Sequence, residues 1–328
     1  MPTTETGTDL NHAAALLRAG QLVAVPTETV YGLAGDGTRE SALRAIFEVK
    51  QRPFYNPLIL HFGAEGGADW RAYVRAVPPA AERLLAHFSP GPLTLLLPRD
   101  PARVPDLVTA GRPEVAVRLP AHPLTRQLLA RLDFPLAAPS ANPFGYISPT
   151  RPAHVLSQLG GRIPYVLDGG PSTAGIESTV VGFGAEGEPV LYRPGVITLE
   201  ELRAVVPSAR SRTAAEESAP VSSPGLLPFH YAPRTPLQLF GPGLAKLPAF
   251  DPATTGAITL RAPLPGLAAE RQVVLSSGRG ELAEAARGLY AALHQLDVLG
   301  LQLLLAEWMP NTGLGLALND RLRKAAAR

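Results

Sequence analysis

The chain contains no cysteine in its 328 residues, which excludes disulfide staples, thiolate zinc sites and a cysteine nucleophile. An excess of one charge is also missing, since 30 Lys and Arg stand against 28 Asp and Glu, spread without a long run of either sign. That balance argues against a dedicated nucleic-acid coat and leaves room for a local basic pocket suited to a small anion. No uninterrupted apolar stretch approaches the roughly 18 residues of a membrane span, and the polar start Met1 to Asn11 lacks a basic segment followed by an apolar one. The expectation is a soluble, cytoplasmic protein without a membrane anchor.

Several motifs are missing too. The 7 histidines form no H-E-x-x-H or other short ligand spacing, so a histidine-built metal site is not expected. There is no Walker A sequence, and Gly313 to Leu318 makes a poor dinucleotide fingerprint because Leu318 replaces the third small residue. Any nucleotide site must use another architecture.

What is present is a mixed α/β pattern with enough apolar residues, 46%, for two domains. Leu10, Ala13, Ala14 and Leu17 share a helical face that stops at Gly20, and Leu22 to Val25 follows as a strand. A helix is expected over Glu40 to Lys50. Strands are expected at Leu58 to Phe62, Leu93 to Leu97, Val115 to Leu119, Tyr165 to Leu167 and Ser178 to Phe183. Thr198 to Glu201 has capping-box spacing, so a helix to about Val206 closes a first domain, 1–206. The Ser-, Ala-, Pro- and Gly-rich stretch 207–236 reads as a linker. In a second domain, 237–328, runs at Leu237 to Phe240, Ala257 to Leu260, Val273 to Ser276 and Leu301 to Leu305 bracket a helix at Glu281 to Leu296, and a last helix ends the chain. This is the pattern of a small parallel α/β layer.

Three segments carry polar groups that invite chemistry. Pro26 to Leu33, PTETVYGL, follows a strand directly, where its hydroxyls either meet a ligand or cap a local turn. Lys50 and Arg52 flank a helix end before Pro53; they form a solvated terminus favoured by the helix dipole, or converge on one anion. Ala138 to Asn142, APSAN, offers a hydroxyl and an amide on small residues; without a G-x-S-x-G elbow, Ser140 reads as a hydrogen-bonding group and not as an attacking one.

In this order the segments resemble the Sua5/YrdC family of threonylcarbamoyl-AMP synthases over nearly the whole chain. The family's K-x-R and distant S-x-N are met by Lys50, Arg52, Ser140 and Asn142. The match extends through PTETVYGL (26–33), NPLILHF (56–62), SPGPLTLLL (89–97), VAVRLP (115–120), APSAN (138–142), GIESTVV (175–181) and YRPG (192–195). SPG (223–225), HYAP (230–233) and the ending GLGLALNDRLRKAA (313–326) resemble the long, two-domain Sua5 branch.

The resemblance implies a twisted mixed sheet around a large cationic cavity, plus a smaller Rossmann-like C-terminal domain, with the linker reaching back over the cavity. It implies that Thr29, His61, Arg118, Ala138 and Ser178 hold L-threonine, with Arg118 facing its carboxylate. Lys50, Arg52, Asn56, Ser140, Ser148, Arg193 and Tyr231 fall where the family contacts ATP, and Lys50, Arg52, Ser140 and Asn142 form the catalytic tetrad. One departure is Leu226 to Phe229, where many relatives carry a basic residue or two.

The implied reaction joins L-threonine, bicarbonate and Mg²⁺-bound ATP into threonylcarbamoyl-AMP and pyrophosphate. A threonylcarbamoyl transferase then modifies adenosine 37 of tRNAs reading codons that begin with A, with direct tRNA contact by this chain a further expectation. The rival from another class is a double-stranded RNA- or tRNA-binding module without catalysis. Near-balanced charge and the lack of an aromatic–basic stacking platform count against it. A carbamoyl-adenylate former of the hydrogenase-maturation type needs zinc-finger parts that a chain without cysteine cannot build.

Overall fold

A computed structural model of the chain describes residues 3–213 and 230–327. Of the expected linker, 214–229 lies outside the described residues, and with it SPG (223–225) and Leu226 to Phe229.

The strands of the first half are β1 (Glu5–Gly7), β2 (Val23–Val25), β3 (Gly32–Asp36), β4 (Ile59–His61), β5 (Leu93–Pro98), β6 (Glu114–Arg118), β7 (Leu136–Ala137), β8 (Tyr165–Leu167), β9 (Thr179–Phe183), β10 (Pro189–Arg193) and β11 (Arg210–Ser211). They form one mixed sheet in the order β1-β8-β2-β3-β7-β4-β6-β5-β9-β10-β11. The helix Leu10–Arg18 starts where Asp9 accepts the backbone N–H of Asn11 and His12, and it buries Ala13, Ala14 and Leu17. The helix Glu40–Lys50 buries Ala42, Leu43, Ile46 and Phe47 at three- and four-residue spacing. Thr198 and Glu201 form the expected reciprocal capping box.

β3 was not expected, because Gly32-Leu33-Ala34-Gly35-Asp36 lacks the β-branched and aromatic residues that mark a strand. Tertiary packing selects its small residues instead: a Cβ at Gly35 would sit 2.9 Å from the Leu22 and 3.3 Å from the Ile46 side chain.

The second half adds β12 (Leu237–Phe240), β13 (Thr255–Thr259), β14 (Gln272–Val274) and β15 (Leu303–Glu307), all parallel, in the order β12-β15-β13-β14. Two helices, Leu282–Asp297 and Leu314–Ala326, pack on this sheet and also on the first half. Val30, Ile147 and Ile176 share a core with Tyr231, Leu289, Tyr290, Leu293, Leu318 and Leu322. Each fully buried leucine here contributes about 1.5–3 kcal/mol of transfer free energy, so the two halves are joined by an apolar seam. No described helix is long and apolar enough to cross a membrane.

Candidate active site

The two hydroxyl-bearing segments lie side by side. Gly32 bridges Ser140, Leu33 N–H donates to Pro139 O at 2.7 Å, and Ala141 N–H donates to Tyr31 O at 2.8 Å. Glycine at 32 permits this approach, since a Cβ would sit 3.2 Å from the Ala138 methyl. The two alternatives for PTETVYGL divide between its threonines. Thr27 takes the turn role, its hydroxyl donating to Val30 O at 2.6 Å and accepting the N–H of Thr29 and Val30. Thr29 is left on the wall of a hollow.

Strand register supplies the next groups. His61 on β4 pairs with Arg118 on β6, and Arg118 pairs with Thr94 on β5, so the three side chains share one face. Thr94 exchanges a hydroxyl hydrogen bond of 2.8 Å with Ser178 just before β9. Arg193 at the end of β10 donates to Ser178 O through Nε at 3.1 Å and Nη2 at 2.9 Å.

The helix Glu40–Lys50 ends because Gln51 turns left-handed at φ 54°, one residue earlier than the restriction expected from Pro53. Arg52 then leaves the helical path, donating to Asn56 O at 3.2 Å and Pro57 O at 2.8 Å. The Lys50 ammonium is buried and donates to the carbonyls of Ser140 and of Asn142, the latter at 2.5 Å. Lys50 therefore fastens the APSAN segment from behind.

Thr29, Arg52, His61, Arg118, Ala138, Ser140, Ser178, Arg193 and Tyr231 all line one hollow of about 60 Å³, together with Glu177 and His230. Lys50, Asn56, Asn142 and Ser148 are buried behind that wall. At roughly 30 Å³ per water in the liquid, the space corresponds to about two waters, a small, tightly walled hollow. Among the described residues its wall is cationic, with three arginines against one glutamate.

Burial and the Arg118 charge push the His61 imidazole down to about 3, so it stays neutral. Burial, reinforced by Arg193, works against the Arg52 charge, and among the described residues no carboxylate pairs with it. An anionic ligand would relieve that. Asn56 Nδ2 and Oδ1, Asn142 Oδ1, Arg118 Nε and His230 Nδ1 are buried without a hydrogen-bond partner among the described residues.

Sequence reasoning passed over three charged residues, Glu28, Glu177 and Arg321, and one linker group, His230; Tyr231 beside it was expected. Glu28 accepts from Arg118 Nη2 at 2.6 Å and from Ala121 N–H at 3.0 Å. Glu177 accepts from Ser148 at 2.7 Å, Tyr290 at 2.8 Å and Arg321 Nε at 2.9 Å. Burial alone would raise the Glu177 carboxyl, but Arg321 and Arg193 hold it below its ordinary value. His230 sits 4.1 Å from the Tyr231 ring, and Tyr231, at φ 65°, packs between Tyr290 and the Arg321 guanidinium. The available signal was a carboxylate inside an otherwise apolar and hydroxyl-bearing motif, PTETVYGL or GIESTVV, since a carboxylate placed there must find a cation.

The family model described as "Telomere recombination", for Sua5, YciO and YrdC proteins, matches residues 15–195, more than half the chain. The chain belongs to the Sua5/YrdC family. A second model, described as "Threonylcarbamoyl-AMP synthase, C-terminal domain", matches residues 197–327, which sets the chain with the long Sua5 branch. Over 324 residues it is 40% identical to the threonylcarbamoyl-AMP synthase of Bacillus subtilis, covering 96% of this chain and 92% of that one. The threonylcarbamoyl-AMP synthase of Pyrococcus abyssi is 38% identical over 332 residues, covering 96% and 93%. The crystal structure of P. abyssi Sua5 complexed with L-threonine superposes with a TM-score of 0.83 at 36% identity, covering 97% of this chain and 94% of that one. Both halves of the Sua5 architecture are thus present.

Proposed function

We propose that this chain is an L-threonylcarbamoyladenylate synthase, a nucleotidyltransferase that makes threonylcarbamoyl-AMP and pyrophosphate from L-threonine, bicarbonate and ATP. The observation that carries this reading is one hollow in which Thr29, His61, Arg118, Ser140 and Ser178 converge, in a chain alike over 97% of its length to a Sua5 complexed with L-threonine.

Arg118, already steered by Glu28, meets the threonine carboxylate, and Thr29, Ser178 and neutral His61 supply hydrogen-bond partners for its amine and hydroxyl. The amine nitrogen bonds to the bicarbonate carbon with loss of water, giving a carbamate. A carbamate oxygen then attacks the α-phosphorus of ATP, the bond to the β-phosphate oxygen breaks, and pyrophosphate leaves. Neither step needs a nucleophilic side chain. The chain's part is to position the reactants and to stabilise charge on the phosphates through Arg52 and Arg193, with Lys50 holding the Ser140 segment in place.

Mg²⁺ is proposed to arrive with the nucleotide. Glu28 and Glu177 each already hold an arginine, which leaves the phosphates as its ligands, where it would neutralise charge. The product is proposed to pass in the cytoplasm to a threonylcarbamoyl transferase acting on tRNA. The deciding experiment is pyrophosphate release from ATP and bicarbonate with each amino acid in turn. Threonine should be the preferred co-substrate; release with serine but not threonine would overturn the assignment, and tight RNA binding without any release would favour a binding module.

A further inference from the structure

Among the described residues Glu177 is the one carboxylate on the hollow wall, and its main partner comes from the other end of the chain. Arg321, on the helix Leu314–Ala326, is 1% exposed and donates through Nε to Glu177 Oε2 at 2.9 Å. Tyr290, on the helix Leu282–Asp297, donates to the same oxygen at 2.8 Å. Ser148 takes the other oxygen, so the carboxylate is bound on both sides and turned toward the C-terminal unit. The Arg321 guanidinium is itself set by Pro194 O at 2.6 Å and by Asp320 at 2.9 Å. One turn further along, Lys324 O accepts the N–H of His230, another residue of the hollow wall. Two contacts from one helix thus reach the hollow at separate points.

We propose that Arg321 is a positioning residue for nucleotide binding: by holding the Glu177 carboxylate it keeps a buried negative charge from opposing the phosphates and from drawing Arg193 away from them. Besides Arg321, Arg193 is the other cation whose charge acts on Glu177, and both line or back the same hollow. A carboxylate that turned toward Arg193 would place a like charge beside the incoming triphosphate and compete for its partner. The C-terminal unit therefore acts on the hollow by neutralising one acid, although it lends no side chain to the wall among the described residues.

This inference rests on the ATP-binding reading above, and the test separates the two. ATP affinity is measured by calorimetry on the full chain, and threonine-dependent pyrophosphate release by initial rates, for wild type, Arg321→Met and Arg321→Met/Glu177→Gln. Arg321→Met should weaken ATP binding about 10- to 100-fold while the threonine KM moves less than about threefold. Adding Glu177→Gln removes the uncompensated charge and should bring ATP affinity back to within about threefold of wild type. A lesion in domain docking alone would not be repaired by a second change at the same junction. Unchanged ATP affinity in Arg321→Met, or a double variant that binds no better than the single one, overturns the proposal. If Arg321→Met does not fold, Arg321→Gln, which keeps a donor and drops the charge, is read by the same criteria. Wild type that binds ATP but releases no pyrophosphate with threonine defeats the functional reading and leaves the affinity comparison decisive for Arg321. Wild type that binds no ATP defeats both.

Discussion

Arg118 and Glu28 both belong to the first sheet and its adjoining loop, whereas Arg321 and Glu177 meet across the two halves of the chain from positions 144 residues apart. In the first pair the cation faces the hollow and the acid lies behind it; in the second the acid faces the hollow and the cation lies behind. Neither pair is best regarded as a stabiliser, because desolvating two charges offsets most of their attraction. What each fixes is the direction of the group left on the wall. The first pair persists whenever the first sheet is folded, while the second exists only when the halves are docked, so the proposed roles make threonine recognition local and nucleotide recognition shared.

The largest expected effect breaks the local side. Arg118→Met removes the proposed carboxylate partner and should lower kcat/KM for threonine about 10²- to 10³-fold, with the ATP KM within about threefold of wild type. Initial rates with each substrate varied in turn measure this; equal damage to both substrates would erase the distinction between the two pairs. Lys50→Ala comes next. It leaves the carbonyls of Ser140 and Asn142 without their buried donor and frees the APSAN segment by an ångström or so, enough to cost about 10² in turnover. Near-wild-type turnover would remove Lys50 from the mechanism.

Acid probes both regions at once. His61 in the hollow is held down to about 3 by burial and Arg118, and His294 at the seam is held down to about 4, chiefly by burial. The unfolded chain takes up protons below about pH 6.5 that these folded sites refuse, so stability is full above that pH and falls as pH drops toward the folded values. Between pH 6.5 and pH 5 each buried histidine should cost up to about 2 kcal/mol. Urea unfolding at pH 7 and pH 5 measures the loss, and His294→Gln should flatten it by about that amount. An unchanged pH dependence in His294→Gln would mean that the seam does not exclude the proton.

Much of this fold was legible because its signals are local. The helical faces of Leu10–Arg18 and Glu40–Lys50 and the capping box at Thr198 need only near neighbours, and they formed where their patterns lay. β3 escaped because its small residues were selected by distant Leu22 and Ile46. The wall residues gathered by strand register, such as His61 beside Arg118, were reached only through family resemblance, since no spacing in the chain expresses which strands are neighbours. Glu28, Glu177 and Arg321 escaped for a related reason. A buried charge announces that it needs a partner, but not where in the chain the partner lies.

The smallest expected effect asks whether docking in general, or Arg321 in particular, couples the halves. Tyr146, half-buried beside the seam, donates to Asp297 Oδ2 at 2.6 Å, and Asp297 Oδ1 also accepts Thr235 N–H at 2.9 Å. Tyr146→Phe removes one hydrogen bond to a charged acceptor and keeps the ring, so unfolding free energy should fall by about 1.5 kcal/mol. Asp297 retains Thr235, so the seam should stay closed. Because this contact lies away from the hollow wall, ATP affinity should stay within about twofold of wild type. If Tyr146→Phe instead weakened ATP binding as much as Arg321→Met, any loosening of the seam would suffice, and the contrast between the local and the shared pair would reduce to whether the two halves touch.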